Sequence, residues 1–303
     1  DHTIAVVSFM CEESSRFGAA TLGSKAMRGK LTVHDLHRLV DTQGISLYDA
    51  LKDRHLQPDA IESMEYKIPV KAFIEMHIEQ GKVLEHEQKQ IGIVSGIAGP
   101  ERFYVTIRGH ADHSGATPMN LRHDALCGAS KIILGIEEVT SMQEEPPVVG
   151  TVGIAEVMPS AMNVIPGSVK LGVDIRSISK VARDSVVFLI KELIDVIAEK
   201  RGLSYTIEPI SKDSPVSMAS SMIKEIERAV TSLQLDYMIM PSGAGHDAMH
   251  WAEIAPTGML FIPCRDGISH NSAEFAAMDD IVAGAEVLEN VIRNISLVGN
   301  ALD

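Results

Sequence analysis

The sequence has few cysteines, no paired cysteine motif and no long apolar run. Cys11, Cys127 and Cys264 are far apart and form no C-x-x-C pair. A disulfide framework and a cysteine-ligated zinc site are therefore not expected, and a reducing cytoplasm is the natural compartment. No apolar stretch approaches the roughly 18 residues of a membrane-spanning helix. The opening residues also lack the basic segment of a signal peptide.

Positive charge is also scarce. Lys and Arg total 27 against 41 Asp and Glu, which gives a formal charge of -14 at pH 7. Nucleic acid and anionic membranes need basic surface, so neither is an expected partner. A small carboxylate can still be bound by a single arginine. The length of 303 residues and the hydrophobic content of 45% indicate a soluble globular protein with one large domain or two ordinary ones.

An apolar run occupies residues 4–10, almost at the start of the chain. Such a run is typical of a strand that is buried on both faces and flanked by neighbouring strands. The first residue is Asp rather than Met, and domains rarely open on a buried strand. We therefore expect the chain to be incomplete at its N-terminus.

The order of strand and helix signals predicts an α/β protein with an inserted smaller domain. In the outer segments we predict strands at 71–78, 91–94 and 258–262 and helices within 41–56, 220–233 and 279–298. The middle segment gives strands at 103–107, 148–157, 169–176 and 204–210 and helices at 122–139 and 181–201. This β-α-β-β-α-β order is the ferredoxin-like arrangement. The predicted domains are a larger α/β domain, 1–96 with 213–303, and an inserted α+β domain, 97–212.

Three groups of candidate metal ligands follow predicted strands. Glu12 and Glu13 come directly after the first apolar run, His77 lies at the end of the next strand, and His270 follows another. Because strand ends meet in one crevice of an open α/β sheet, these groups are expected to converge. Carboxylate and neutral imidazole suit Zn²⁺, Mn²⁺ or Co²⁺. Taken singly, a Glu-Glu pair is more often a solvated turn, and a lone His is more often structural.

Further groups could bind a substrate. His113 lies in a loop, where it could donate a hydrogen bond to a substrate or cap the following helix. Arg176 points away from the core face of its strand and could hold a carboxylate, although an ion pair with Asp174 is the simpler alternative. The Gly-rich loop at 243–247 offers backbone amides to an anion, but it has neither the Walker spacing nor the lysine of a phosphate-binding loop.

Taken together, these motifs resemble the hydantoinase/carbamoylase branch of the M20 metallopeptidase-like family. They run in the family order and cover nearly the whole chain. The matching segments are EESSRF at 12–17, LGS at 22–24, HIEQG at 77–81, HSGATPM at 113–119, NVIPG at 163–167, DIR at 174–176, SGAGHD at 242–247 and SHN at 269–271.

The resemblance implies a role for each matched residue. Glu12 would be the general base, Glu13 and His270 would hold one divalent metal ion, and His77 would hold the other. The implied metals are Zn, Mn, Co or Ni. The family pattern also places a His and a bridging Asp upstream of the Glu-Glu pair, and neither is present in this sequence. The residues implied in substrate binding are Gln80, His113, Asn163, Arg176 and Gly245.

Within substrate binding, the resemblance assigns Arg176 to the substrate carboxylate and His113 to its carbonyl oxygen. It further implies a homodimer formed through the inserted domain, in which His113 can serve the partner's site.

The implied function is a metal-dependent amidohydrolase that cleaves the ureido C–N bond of N-carbamoyl-L-amino acids and releases ammonia and carbon dioxide. The partner is then a small ureido acid. Allantoate amidohydrolase and a dipeptidase or aminoacylase of the wider family remain alternatives, although His77 stands where the peptidase branches usually carry Asp. An inactive module that only binds or dimerises is the alternative from another class.

Overall fold

The structure is a computed structural model that describes residues 2–297. The chain divides into two compact units, residues 1–97 with 217–303 and residues 98–216. In chain order, the α-helices are α1 (Leu22–Met27), α2 (Val33–Arg38), α3 (Leu47–Asp53), α4 (Val83–His86), α5 (Ala125–Ser141), α6 (Lys180–Arg201), α7 (Ser220–Ser232), α8 (Ala248–Trp251) and α9 (Met278–Leu297). The strands are β1 (Phe73–Ile78), β2 (Ile91–Ile97), β3 (Gly99–Arg108), β4 (Val149–Met158), β5 (Ser168–Ser177), β6 (Ser204–Lys212), β7 (Val216–Ser217), β8 (Tyr237–Ser242) and β9 (Thr257–Ile262).

The sheet of the first unit is mixed. β1 runs parallel to β9, β9 pairs antiparallel with β2, and β2 runs parallel to β8. The β9 strand is buried along its whole length, as a central strand packed on both faces should be. Helices α7 and α9 pack on this sheet through apolar residues such as Ile226 and Val291. Because β1 and β9 are parallel, their carboxyl ends lie at the same edge, and the segments after them begin there.

The prediction of a buried first strand is wrong. Residues 4–10 form no strand, and their side chains are exposed apart from Phe9, which packs against Phe73 and Trp251; Ile4 is 58% and Val6 93% exposed. No strand in the described part of the chain pairs with this run. The prediction depended on apolar composition alone, whereas a buried strand also needs neighbours that satisfy its backbone hydrogen bonds.

The second unit contains a four-stranded antiparallel sheet in the order β4-β5-β3-β6. Helices α5 and α6 pack against the apolar side of this sheet. Alternation along β5 gives the reason, because Val169, Leu171, Val173 and Ile175 are all buried. The residues between them lie on the opposite, open face, which carries no helix of this unit.

The element order within this unit is β3-α5-β4-β5-α6-β6, the same order that the sequence predicts. The long helix α6 begins after Ser179, whose side chain accepts a hydrogen bond from the amide of Ala182, and ends at Gly202 with a φ of 63°. Among the residues that the structure describes, no helix is long and apolar enough to cross a membrane.

Candidate metal-binding and catalytic site

Glu12, His77 and His246 come together in the first unit. One potential ligand atom from each lies within 4.8 Å of the others. The Glu12 carboxylate is 3.9 Å from Nε2 of His77 and 3.7 Å from Nδ1 of His246. Both imidazole rings also contact each other edge to face, with centroids 4.7 Å apart. One carboxylate oxygen and two imidazole nitrogens form a ligand set that suits a divalent cation.

Local structure explains how Glu12 reaches this position. The loop that carries it is tied to the start of α1, because the amide of Thr21 donates to the carbonyl of Glu12 and the amide of Gly23 donates to that of Met10. A Cβ at position 23 would lie 2.8 Å from backbone atoms of Met10, so only glycine permits this approach. The matched LGS segment therefore has a physical role in placing Glu12.

The hydrogen bonds of the two histidines decide which ring nitrogen faces Glu12. The Nδ1 of His77 lies 2.8 Å from the carbonyl of Ile78 and donates to it, which leaves Nε2 directed at Glu12. The Nε2 of His246 lies 2.8 Å from the hydroxyl of Ser242, and its Nδ1 is directed at Glu12. Among residues 2–297, this buried Nδ1 has no hydrogen-bond partner.

Electrostatics in this cluster keep Glu12 ionised. Burial by itself raises the pKa of Glu12, but its contacts with His246 and His77 outweigh burial and lower the pKa to about 2. Burial lowers the pKa of His77, yet the Glu12 carboxylate and the Ile78 carbonyl outweigh it and raise the pKa to about 9. A positive charge beside Glu12 is therefore favoured.

His246 differs from His77. Burial lowers its pKa below the ordinary value, and the contact with Glu12 opposes this only in part. A neutral imidazole with an unpartnered nitrogen directed at a carboxylate is the form that binds a metal ion. The residues present thus fit a divalent cation between His77, His246 and Glu12.

A second pair lies beside this cluster. The Nε2 of His270 is 2.7 Å from the carboxylate of Glu13. The side-chain amide of Gln80 donates to Glu13 at 3.0 Å and to the hydroxyl of Ser269 at 3.0 Å. Gln80 and His270 both have positive φ values, 59° and 57°, which are uncommon for residues other than glycine and mark a constrained backbone.

Two buried carboxylates border the site. The carboxylate of Glu75 accepts a hydrogen bond of 2.7 Å from the amide of Ala248, and burial raises its pKa to about 7. Asp247 accepts a short hydrogen bond from Ser24, and burial raises its pKa to about 6. The acidic groups around Glu12 therefore differ in charge state at neutral pH.

The structure brings several of the sequence-predicted residues together in the first unit, and the others belong to the second unit. Glu12, Glu13, His77, Gln80 and His270 all belong to the two groups described above. Gly245 lies in the loop next to His246 and is exposed. His113, Asn163 and Arg176 belong to the second unit.

In the second unit, two loops that carry predicted substrate residues pair with each other. The carbonyl of Asn163 accepts a hydrogen bond from the amide of Ser114. The Nδ1 of His113 accepts from the amides of Gly115 and Ala116, so the side chain caps the following turn rather than a helix. The loop geometry thus fixes the orientation of the His113 ring.

Arg176 makes the ion pair that the sequence offered as its simpler alternative. Its Nε and Nη2 atoms donate to the two carboxylate oxygens of Asp174 at 2.9 and 2.8 Å. Arg102 donates to the same carboxylate at 2.8 Å.

His246 is a site residue that the sequence-based predictions do not include. The resemblance matches the SGAGHD segment, 242–247, but implies a role only for Gly245. A usable signal was present, because the segment follows the apolar residues of β8, a strand that was also missed. Glu75 could have been found by its spacing, since residues i and i+2 of a strand share a face and His77 follows it by two.

The sequence matches a known protein family and several of its members. A family model described as "Peptidase family M20/M25/M40" matches residues 1–294. The chain is 47% identical over 292 residues to a protein of Haemophilus influenzae named "Uncharacterized hydrolase", covering 96% of this chain and 71% of that protein. It is 42% identical over 299 residues to the N-carbamoyl-L-amino-acid amidohydrolase of a Pseudomonas species, covering 97% and 72%.

The chain is also similar in structure to a solved amidase. The amidase of the hydantoinase/carbamoylase family from Burkholderia multivorans superposes with a TM-score of 0.87 at 33% sequence identity. The superposition covers 96% of this chain and 70% of that protein. At this level of identity and overlap, the match extends to both units of the chain.

Proposed function

The chain belongs to the peptidase family M20/M25/M40, as its motifs predicted, and on this premise we propose that it is a metal-dependent amidohydrolase. The bond cleaved is the ureido C–N bond of an N-carbamoyl-L-amino acid. One water is consumed, and the products are the free amino acid, ammonia and carbon dioxide. The name of the Pseudomonas relative supports this substrate class. The observation that carries the proposal is the ionised Glu12 held between His77 and His246.

The metal ligands follow from the two groups of side chains. We assign His77 and His246 to one divalent cation and Glu13 and His270 to a second. When bound, such cations polarise the ureido carbonyl and lower the pKa of water from 15.7 toward about 7. Gln80 hydrogen bonds to Glu13 and so orients that carboxylate.

Glu12 is assigned to proton transfer. Its pKa of about 2 keeps it ionised at neutral pH, so one carboxylate oxygen can accept the proton of the attacking water. The same oxygen then gives the proton to the leaving nitrogen, which departs as ammonia. The carbamate that remains loses carbon dioxide and frees the amino group. Glu75, protonated for part of the time near pH 7, does not compete strongly as an anion.

The substrate is assigned to Gln80 and Gly245 in the first unit and to His113, Asn163 and Arg176 in the second. Arg176 binds the α-carboxylate, and His113 stabilises the charge that develops on the carbonyl oxygen.

The second unit is proposed as an inserted ferredoxin-like domain, residues 97–212, that forms a homodimer. Helix α6 supports this, because one side of it exposes an apolar stripe. The stripe consists of Val181, Phe188, Leu189 and Val196, which are 77%, 61%, 51% and 61% exposed. Apolar surface of this kind on a helix is typical of an interface. Analytical ultracentrifugation should give a dimer, and Phe188→Glu should shift it toward monomer.

The three cysteine thiols support a proposal about the cellular compartment. Cys11, Cys127 and Cys264 are all free, and Cys11 and Cys127 are exposed. Thiols of this kind persist in a reducing environment. We therefore propose a cytoplasmic location.

The test of the proposed function is ammonia release with added Mn²⁺ or Zn²⁺. The substrates are N-carbamoyl-L-amino acids and allantoate, with dipeptides scored by free amine. Chelator-treated protein and Glu12→Gln are measured beside the wild type. The proposal requires turnover of an N-carbamoyl-L-amino acid that depends on metal and falls by a factor of about 10² to 10⁴ in Glu12→Gln, the range of general-base catalysis.

The outcomes separate the alternatives. Turnover of allantoate or of dipeptides in preference to N-carbamoyl amino acids would reassign the substrate within the family. Absence of turnover on every substrate, with less than one metal ion bound per chain, would contradict the proposal and favour a binding or dimerisation module.

A further inference from the structure

Helix α8 begins two residues after His246, and a buried hydrogen bond ties its first turn to α1. The hydroxyl of Ser24 donates to the carboxylate of Asp247, the residue between His246 and the helix. Ser24 is fully buried, and Asp247 is 3% exposed. The reaction steps assigned above use neither side chain, so this buried polar contact is not explained by them.

The start of α1 is also bonded to the loop that carries Glu12. Three successive amides there donate to three successive carbonyls of the loop, which are Thr21 to Glu12, Leu22 to Cys11 and Gly23 to Met10. Ser24 follows these residues directly. Its hydrogen bond to Asp247 therefore connects the backbone that holds Glu12 with the backbone that holds His246, and all of these residues belong to the first unit.

A second contact joins the first turn of α8 to β1. The amide of Ala248 donates to the carboxylate of Glu75 at 2.7 Å. Glu75 is two residues before His77 on β1, and residues i and i+2 of a strand lie on the same face. The first turn of α8 is thus bonded both to the strand that carries His77 and, through α1, to the loop that carries Glu12.

The far end of α8 has contacts of its own. Trp251 is 3% exposed and stacks on Phe73 of β1, with ring centroids 5.3 Å apart. The Nε2 of His250 lies 2.9 Å from the hydroxyl of Thr21. Because these contacts do not involve Ser24, loss of its hydroxyl should leave the helix docked and loosen only its first turn.

We propose that the hydrogen bond between Ser24 and Asp247 is a positioning contact for the reaction. It sets the distance between the Glu12 carboxylate and the His246 ring, whose Nδ1 is 3.7 Å from that carboxylate. A displacement of about 1 Å in a reacting group can lower a rate by about 100-fold, so a contact of this kind acts on catalysis without touching the substrate. The assignment rests on the proposed function, which gives Glu12 and His246 their roles.

Ser24→Ala removes the donor of this hydrogen bond. Asp247→Asn is the conservative variant, because its amide oxygen can still accept from Ser24. The matched control is Thr257→Val, which deletes another buried hydroxyl of the first unit with little change of shape. That hydroxyl donates to the carbonyl of Ala255 at the start of β9, whereas His77 is paired near the end of the same strand. The measured quantities are kcat and KM for an N-carbamoyl-L-amino acid and the free energy of unfolding in urea.

The kcat of Ser24→Ala should fall about 10- to 100-fold, while KM changes by less than about threefold because the contact does not bind the substrate. Asp247→Asn should keep a kcat near that of the wild type. Thr257→Val should be less stable than the wild type and have an unchanged kcat. An unchanged kcat in Ser24→Ala, or an equal loss in Thr257→Val, overturns the inference and leaves the proposed function intact. A loss in Asp247→Asn as large as that in Ser24→Ala would assign the effect to the charge of Asp247 and would also overturn it.

Hydrogen–deuterium exchange followed by mass spectrometry tests the contact without turnover. Ser24→Ala should raise the exchange rate in peptides that cover residues 9–23 and 246–252, and Thr257→Val should raise it in neither. Faster exchange in both segments supports the contact even if no N-carbamoyl substrate is turned over, so failure of the proposed function is distinguishable. Exchange at 246–252 that stays equal to that of the wild type contradicts the inference whatever the kinetics show.

Discussion

The hydroxyl of Ser242 lies 2.8 Å from Nε2 of His246 and fixes which nitrogen of that ring faces Glu12. Ser242 has one hydroxyl hydrogen, and it is donated to the carbonyl of Ala244 at 3.0 Å. The Nε2 of His246 must therefore be the donor to Ser242, and Nδ1 carries the lone pair. Because the facing Glu12 carboxylate is also an acceptor, the contact is favourable only with a cation between them, either a divalent metal ion or a proton on Nδ1 that is donated to Glu12 and lowers the pKa of that carboxyl.

His246→Ala should remove one metal-binding position. The variant leaves His77 with no second imidazole beside it, so we expect metal affinity to fall by more than about 100-fold, beyond the range for an outer-sphere partner. The measurement is metal content by mass spectrometry after dialysis, together with competition against a chelator. The control is His86→Ala, because the side chain of His86 is 83% exposed and lies in α4.

The two variants must differ for the assignment of His246 to hold. Equal metal content in His246→Ala and the wild type, with the fold retained, would show that this ring is not a ligand. Loss of metal in His86→Ala as well would indicate nonspecific binding by surface imidazoles.

Ser242→Ala should weaken metal binding less than His246→Ala does. Loss of the hydroxyl frees the His246 ring to change tautomer, and groups that orient a ligand in this way contribute about 10- to 100-fold to affinity. Ser242→Thr keeps the hydroxyl and should retain affinity near that of the wild type. Competition titrations of the two variants measure the difference. Equal affinities for Ser242→Ala and Ser242→Thr would contradict the orienting role.

Much of the second unit could be predicted from the sequence because local signals agree there. Alternation over 169–176 predicted β5, which the structure has as Ser168–Ser177, and apolar spacing over 181–201 predicted α6, Lys180–Arg201. Ser179 and Gly202 mark the ends of that helix by capping, which a sequence shows directly. Strand period, helix period and caps are all short-range properties, so no tertiary information was needed.

The site was harder to predict because it depends on long-range contacts. Glu12 and His246 are 234 positions apart in a chain of 303 residues, and no spacing rule brings them together. The β8 strand is not predicted from the sequence because Pro241 lies within it. Proline has no backbone N–H to donate to a neighbouring strand, so its presence argues against a strand. The apolar run at 4–10 shows the opposite error, in which composition predicted burial that packing does not provide. The expected convergence of Glu12 with His77 and of Glu13 with His270 nevertheless appears in the structure.

Arg183→Met should destabilise the second unit. The side chain of Arg183 is 1% exposed, and Nη1 donates to the carbonyl of Gly99 at 2.9 Å and also to that of Asp213. Removal of the guanidinium leaves the buried carbonyl of Gly99 and the carbonyl of Asp213 without this donor and breaks the ion pairs with Glu101 and Asp184, so the free energy of unfolding should fall by about 3 kcal/mol. Urea titrations followed by circular dichroism measure the change.

The control for that experiment is Arg293→Met. Arg293 pairs with Glu289 one turn away on α9, and its side chain is 72% exposed. An exposed pair of this kind contributes about 0.5 kcal/mol or less. A loss of stability in Arg183→Met no larger than that of Arg293→Met would mean that the buried contacts of Arg183 do not hold the unit together.

Acidification should destabilise the first unit through His250. This ring is buried, with Nε2 2.9 Å from the hydroxyl of Thr21 and Nδ1 3.3 Å from the ammonium of Lys30. Burial, followed by the charges of Lys30 and Lys25, lowers the pKa of His250 to about 4. As the pH falls below about 6.5, His250 becomes protonated in the unfolded chain. In the folded chain it stays neutral until the pH reaches about 4, so acidification favours the unfolded state.

The stability that His250 contributes is thus present above pH 6.5 and is lost as the pH falls toward 4. Between pH 7 and pH 5 the loss should be about 2 kcal/mol, since each pKa unit corresponds to about 1.4 kcal/mol. His250→Gln keeps a polar group near Thr21 but cannot titrate, so its free energy of unfolding should vary less with pH by that amount. Urea titrations of both proteins at pH 7, 6 and 5 supply the comparison, in which the slope with pH matters and the absolute stability does not. Parallel slopes for the two proteins would show that His250 accepts its proton in the folded state as readily as in the unfolded chain, and that its burial does not control the acid response.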